Sequence, residues 1–76
     1  MEQLGERIRR LRVERGMAQD RLALEAHVDQ SGLSKFERGR RALSERSVRR
    51  IAQILGVGFD ELVEGTDFEV RAERRP

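Results

Sequence analysis

The sequence predicts an all-α fold of five short helices, and two observations support this prediction. Apolar residues recur at spacings of three and four along most of the 76-residue chain, which is the period of one helix face. Residues that typically begin or end helices, among them Asp29, Ser44, Gly16 and Gly39, stand at the borders of these stretches. A chain of this length makes one domain, which buries only about 60% of its unfolded surface and leaves little room for an enzyme pocket.

The first two helices are predicted from short apolar stripes. A first helix is expected from about Gln3 to Arg15, and its stripe consists of Leu4, Ile8 and Leu11. Gly16 ends it, and a second helix is expected from about Ala18 to Ala26, with Leu22 and Ala23 buried. Ala18 lacks the side-chain oxygen of a good N-cap, but packing outweighs the roughly 1 kcal/mol that a cap contributes. His27 and Val28 form the turn that follows.

The third helix is expected to begin after Asp29, a good N-cap, and to run to about Arg38. Leu33 and Phe36 lie on its inward side, and Gly39 stops it.

The last two helices follow a basic loop, residues 40–43. Ser44 is the expected N-cap of the fourth helix and Gly56 ends it; its buried residues are Val48, Ile51, Ala52 and Leu55. The fifth helix is short and ends at Gly65, and its apolar residues are Phe59, Leu62 and Val63.

We assign residues 1–65 to a helical domain and residues 66–76 to a charged C-terminal tail. Within the tail, Phe68 and Val70 alternate with charged residues. A period of two permits a short strand, and a terminal segment is equally compatible with disorder.

Charge is distributed unevenly along the chain although the formal net charge is only +2. Residues 29–50 contain one Lys and six Arg against three acidic residues, whereas residues 51–76 contain three Arg against six acidic residues. Clustered positive charge indicates a polyanionic partner, because phosphate neutralisation releases counterions. The alternative is an ordinary solvated helix face. The sequence has no cysteine, no signal-like segment and no apolar run of membrane length, so we expect a soluble, cytoplasmic protein.

Residues 19–39 predict two short helices joined by a tight turn, with basic residues at the end of the second. This is the layout of a helix-turn-helix motif, in which the second helix enters the major groove of DNA and the first crosses the backbone. Gln30 and Ser31 lie in the first turn of the second helix, and Ser34 and Lys35 lie one turn further on the same face. These four residues are therefore the candidates for reading bases.

The chemistry of these side chains fits base edges. The amide of Gln30 can bond an adenine at two positions, a serine hydroxyl suits several bases, and Lys35 can bond guanine or only a phosphate. The alternative is that such small polar residues are ordinary surface.

The chain contains a series of short motifs in a particular order, namely LGERIRRLR at 4–12, RGMAQ at 15–19, LA at 22–23, FERG at 36–39 and IAQILGV at 51–57. In order and spacing they resemble the Cro and lambda-type repressor family, also called the XRE family. The resemblance implies a compact five-helix, lambda-repressor-like DNA-binding domain. The chain departs from the family at Ala18, His27 and Leu43, where Ser or Thr, Gly, and Pro are common. Gly32 lowers the helix propensity of the reading helix by up to ~1 kcal/mol relative to Ala, although its missing side chain allows close approach to DNA.

The resemblance also implies roles for individual residues. Gln19, at the start of the second helix, is expected to clamp a backbone phosphate, and Arg12 and Glu37 are expected to form an ion pair between the first and third helices. The arginines that follow the reading helix are expected to contact phosphates, which sets register without reading sequence: Arg38, Arg40 and Arg41.

We therefore expect a sequence-specific regulator that binds a palindromic double-stranded operator as a homodimer. The expected dimer patch consists of Phe59, Leu62 and Val63, to which Phe68 and Val70 can add. No cofactor is expected.

The competing class is an antitoxin or adaptor whose main partner is a protein, and Leu24 is its candidate contact because the family usually has a polar residue there. A metal site is disfavoured since His27 is the single histidine. Enzyme motifs are lacking in the sequence. Phage repressor, restriction-modification controller and antitoxin remain open as biological settings.

Overall fold

The computed structural model describes residues 1–68 and contains five α-helices in the predicted order. They are α1 (Leu4–Glu14), α2 (Gln19–Ala26), α3 (Gln30–Glu37), α4 (Glu45–Leu55) and α5 (Phe59–Val63). The all-α prediction is confirmed. The predicted ends of the first four helices lie within one residue of the observed ones, and the fifth, predicted to end at Gly65, ends at Val63.

The core is built from one apolar face of each helix. Its buried residues are Leu4, Ile8, Leu22, Ala23, Ala26, Leu33, Phe36, Val48, Ile51, Ala52, Leu55 and Leu62. Burial of each large side chain contributes about 1.5–3 kcal/mol to the stability of the folded state, so packing within this cluster is the main interaction that holds the helices together. Leu33 and Phe36 anchor α3 to the core and leave its opposite face free.

Helix α3 passes very close to α1 at Gly5. A Cβ atom added at Gly5 would overlap the carbonyl group of Phe36. Glycine is thus required here because there is no room for a side chain, and not because of its backbone conformation. Its lack of a side chain lets α3 pack closely against α1.

The helix ends follow the capping residues of the sequence. The Asp29 carboxylate accepts a hydrogen bond from the Gly32 amide at 2.7 Å, and the Ser44 hydroxyl accepts one from the Ser47 amide at 3.2 Å. Helix α2 differs from these two, since its N-cap residue Ala18 makes no side-chain capping bond. His27 ends α2 in the left-handed region with φ of 63°, a conformation that costs a residue with a Cβ atom about 1–2 kcal/mol.

The segment after α5 continues to pack against the body as far as Phe68. Glu2 and Thr66 form a parallel β-bridge, and Asp67 accepts a hydrogen bond from the Leu4 amide at 2.9 Å, which caps α1. Val70 and the rest of the tail lie outside the described residues.

Two arginines outside the motif cap helix C-termini. The Arg7 guanidinium donates to the carbonyls of Leu62 at 3.0 Å and Glu64 at 2.6 Å, at the end of α5. Arg15 donates to the Leu55 carbonyl at 2.7 Å, at the end of α4. Long guanidinium side chains can thus reach the free carbonyls that end a neighbouring helix.

Candidate nucleic-acid interface

Helices α2 and α3 are joined by a tight turn that sets their relative direction. The turn closes through a hydrogen bond from the Val28 amide to the Ala23 carbonyl at 3.0 Å. This bond and the left-handed His27 are the features of a Schellman helix end. Asp29, the N-cap of α3, follows directly, so α3 begins at a fixed angle to α2.

Helix α3 has one buried and one accessible face. Leu33, Phe36 and Glu37 are buried, whereas Gln30, Ser31 and Lys35 are exposed and Ser34 is half-buried; this separates the four candidate reading residues from the core side. A polar edge is thus presented along two turns of the helix.

The buried end of α3 carries an ion pair with α1. Arg12 donates to both carboxylate oxygens of Glu37, from Nε at 2.9 Å and from Nη2 at 3.0 Å. The side chains are only 11% and 2% exposed, and a further bond from Arg12 Nη1 to the Met17 carbonyl at 2.9 Å satisfies the guanidinium. The pair is the one that the resemblance implied, and bidentate geometry makes it directional.

The same carboxylate also organises the start of the two motif helices. Gln19, half-buried at the start of α2, donates from Nε2 to Glu37 Oε1 at 3.0 Å, and its own Oε1 accepts from Gln30 Nε2 at 3.3 Å. Glu37 is a pure acceptor, so it fixes which end of the Gln19 amide faces it and which end faces Gln30. A chain of hydrogen bonds therefore runs from the core to the exposed edge of α3.

Three basic residues follow α3 directly in the chain. Arg38 is the C-cap of α3, and the Arg40 amide bonds to the Lys35 carbonyl at 2.8 Å in the turn that Gly39 allows with φ of 77°. Arg38, Arg40 and Arg41 are all exposed. Their side chains are therefore accessible to an anion.

The predicted dimer patch needs one correction. Leu62 is 1% exposed and belongs to the core, so the prediction that it forms part of a contact surface was wrong. In a helix of five residues, positions 59, 62 and 63 span more than one face, and the middle one points inward. Phe59 and Val63 are half-buried.

Phe59 is held between two side chains that sequence reasoning did not connect. The Arg49 guanidinium lies 3.9 Å from the centre of the Phe59 ring, and the Phe68 ring meets it edge to face at 5.8 Å. The cation–π and aromatic contacts fix the ring in place. The apolar surface at this end of the molecule is therefore Phe59, Val63 and Phe68, which we call the α5 patch.

A second cluster that sequence reasoning missed lies at the N-terminus. Glu2 accepts hydrogen bonds from Arg10 at 2.6 Å and Arg7 at 2.9 Å, and these bonds lower the pKa of the Glu2 carboxyl. The cluster ties α1 to the end of α5 through Arg7. The sequence does not indicate this cluster, because Glu2 lies before α1 and is not at the helical spacing of three or four residues from Arg7 and Arg10.

Across residues 1–68, no group of three His, Cys, Asp or Glu side chains is placed to hold a metal ion, and no helix there has the length and apolarity to cross a membrane. Leu24, on the outer side of α2, is 77% exposed.

Comparisons with known proteins define the family. Residues 8–62 match the helix-turn-helix family model. An HTH-type transcriptional regulator from Sinorhizobium fredii, itself uncharacterized, is 39% identical over 64 residues, which are 84% of this chain and 83% of that protein. The chain spans 57% and 58% of the length of two further relatives from Bacillus subtilis.

Solved structures agree with this match. SinR, the master regulator for biofilm formation, in complex with DNA superimposes with a TM-score of 0.74 and 31% identity, over 80% of this chain and 98% of that one. The restriction-modification controller protein C.AhdI from Aeromonas hydrophila gives a TM-score of 0.73 and 34% identity, over 78% and 89% of the two chains. The chain belongs to the XRE-type helix-turn-helix family of DNA-binding transcriptional regulators, and not to a family of enzymes.

Proposed function

We propose that this protein binds a palindromic double-stranded DNA operator as a homodimer, with α3 of each subunit in the major groove. The observation that carries the proposal is the hydrogen-bond chain from Glu37 through Gln19 to Gln30, which holds an amide on the exposed edge of α3. A base-reading side chain loses less conformational freedom on binding when a neighbour already orients it.

Gln30 is the principal base reader in this proposal. One amide hydrogen is engaged by Gln19, whereas its oxygen and its second amide hydrogen have no hydrogen-bond partner among residues 1–68. These are the two groups that bond adenine at N6 and N7. Ser31, Ser34 and Lys35 lie on the same side and read neighbouring base pairs or, for Lys35, a phosphate.

Phosphate contacts supply most of the affinity. Gln19 lies at the N-terminus of α2, where backbone amides are free and the helix dipole favours an anion. Arg38, Arg40 and Arg41 approach phosphates on the other side of α3. Such contacts position the protein and make binding depend on salt, but they do not select a sequence.

Dimerisation follows from the small size of a single reading surface. The α5 patch is the contact, since Phe59, Val63 and Phe68 are apolar and partly exposed, and the two aromatic rings pack against each other. Two reading helices spaced by about 34 Å would meet successive major grooves on one side of the duplex.

Selection of bound duplexes from a random pool tests the proposal. The wild type should enrich a two-fold symmetric sequence, and Gln30→Ala should lose discrimination at specific positions by about 1–3 kcal/mol each. Arg40→Ala is the matched control, because it should weaken all sequences alike. An unchanged preferred sequence for Gln30→Ala would mean that α3 does not read bases through this residue.

Oligomeric state is tested separately. Sedimentation should detect a dimer that Phe59→Ala weakens, and a monomer at high micromolar concentration with and without operator DNA would remove the dimer from the proposal.

A second candidate function is a protein-binding role, as an antitoxin or adaptor. It is favoured by Leu24, a large apolar side chain that is 77% exposed on α2. Purification with one stoichiometric partner that Leu24→Gln abolishes, together with absence of duplex binding at low salt, would support it over the DNA reader.

A further inference from the structure

Gly32 occupies an unusual place for a glycine, inside the first turn of the reading helix. Its backbone is helical and it is buried, so no left-handed conformation calls for glycine there. Glycine is the weakest helix former after proline, because its backbone loses the most entropy on ordering. Another feature of the site must therefore account for it.

The space that a side chain would need is already occupied. A Cβ atom at Gly32 would lie 2.7 Å from Nη1 and 3.2 Å from Cζ of Arg41, and 2.6 Å from Oδ1 of Asp29. Asp29 is held there because this oxygen accepts the capping bond from the Gly32 amide. The Arg41 guanidinium, which comes from the loop after α3, therefore rests in a notch that exists because residue 32 has no side chain.

We infer that Gly32 is a positioning residue for Arg41, and that the notch holds the guanidinium beside the first turn of α3 for contact with a DNA backbone phosphate. This inference rests on the proposed DNA-binding function and adds to it a role for a residue that itself bears no functional group.

Preorganisation of the Arg41 side chain would favour its contact with a phosphate. A long arginine side chain in an open loop loses rotamer freedom when it binds a phosphate, and a side chain that already rests against the protein loses less. The nearby Asp29 carboxylate also offsets the unfavourable placement of a cation near a helix N-terminus. Arg40, in the same loop and also exposed, serves as the comparison residue.

Salt-dependent binding of one operator duplex tests the inference in four proteins: wild type, Gly32→Ala, Arg41→Ala and the double variant. Loss of one phosphate contact should reduce the slope of log affinity against log salt concentration by about 0.9. Over a fourfold rise in salt, the variant should therefore lose about 3.5-fold less affinity than the wild type loses. Arg41→Ala should show this reduction. Gly32→Ala keeps the arginine charge but removes its preorganised position, so it should lower the affinity at a fixed salt concentration by no more than Arg41→Ala does, and it should cause no further loss in the Arg41→Ala background.

Gly58→Ala is the matched control for the substitution itself. Gly58 has φ of −70°, and the nearest atoms to an added Cβ lie 3.9 Å away on Glu61, so alanine fits there. It should leave the affinity and the salt slope unchanged. Wild-type affinity in Gly32→Ala, a wild-type slope in Arg41→Ala, or a loss from Gly32→Ala that persists in the Arg41→Ala background would overturn the inference.

A measurement without DNA separates this inference from the proposed function. NMR relaxation of the arginine Nε–Hε groups in the wild-type protein should show Arg41 to be more ordered than Arg40 on the ps–ns timescale, and Gly32→Ala should remove the difference. Equal mobility of the two arginines in the wild type would refute the notch even if duplex binding is intact. Failure of the wild type to bind any duplex, with Arg41 ordered, would instead refute the proposed function and with it the DNA role of Arg41.

Discussion

Replacement of Arg12 by methionine should destabilise the domain severely. Methionine keeps much of the arginine stem but leaves the Glu37 carboxylate, whose side chain is 2% exposed, without its bidentate partner. Removal of one partner from a buried pair costs about 3–5 kcal/mol, because a desolvated charge remains uncompensated. A domain of 76 residues has a total free energy of unfolding of about 4–11 kcal/mol, so a large share of it would be lost.

Urea unfolding followed by circular dichroism measures this loss, and two variants make the result specific. Arg9→Met changes an exposed arginine of the same helix and should alter the free energy of unfolding by less than about 0.5 kcal/mol. The double variant Arg12→Met with Glu37→Leu should recover most of the lost stability, since a buried pair exchanged for apolar residues is often neutral. A loss below about 1 kcal/mol in Arg12→Met would refute the claim that the buried carboxylate depends on Arg12.

Three other predictions follow from the helix ends and the core. His27→Gly should raise the free energy of unfolding by about 1 kcal/mol in urea, because glycine adopts the left-handed conformation without strain. Leu62→Ala should lower the free energy of unfolding by about 2–5 kcal/mol in the same assay, and the loss should not depend on protein concentration. A loss that depends on protein concentration would mean that Leu62 contributes to a dimer interface. The pKa of Glu2 is lowered in the folded state, so its contribution to the free energy of unfolding is complete above the ordinary carboxyl pKa and is lost as pH falls through the lowered pKa. When the free energy of unfolding is measured against pH, Glu2→Gln should lack this part of the acid-dependent loss of stability.

The helices and their core faces could be predicted because the signals are local. Leu33 and Phe36 lie three residues apart, and Asp29 caps the helix only three residues from the amide it bonds. Such relations are set by the geometry of a single helix, so they survive whatever packs around it.

Parts of the candidate site could not be predicted because they join distant residues. The Gln19 to Gln30 bond crosses the turn of the motif, and Arg7 reaches carbonyls more than fifty residues away. Leu62 was assigned to the surface because a five-residue helix has too short a periodic pattern to separate its inner face from its outer one.

Residue 32 is the clearest case in which the tertiary structure determines what the sequence alone does not. From the chain alone, a glycine there weakens a helix, and Arg41 is one basic residue among several in a loop. Folding returns that loop across the first turn of α3 and sets the guanidinium where a Cβ would have been. Periodicity and capping specify which segments coil and which side faces inward, because they act over one or two turns. Which side chains meet depends on how five helices close around a shared core, since that packing brings together groups that no sequence spacing relates.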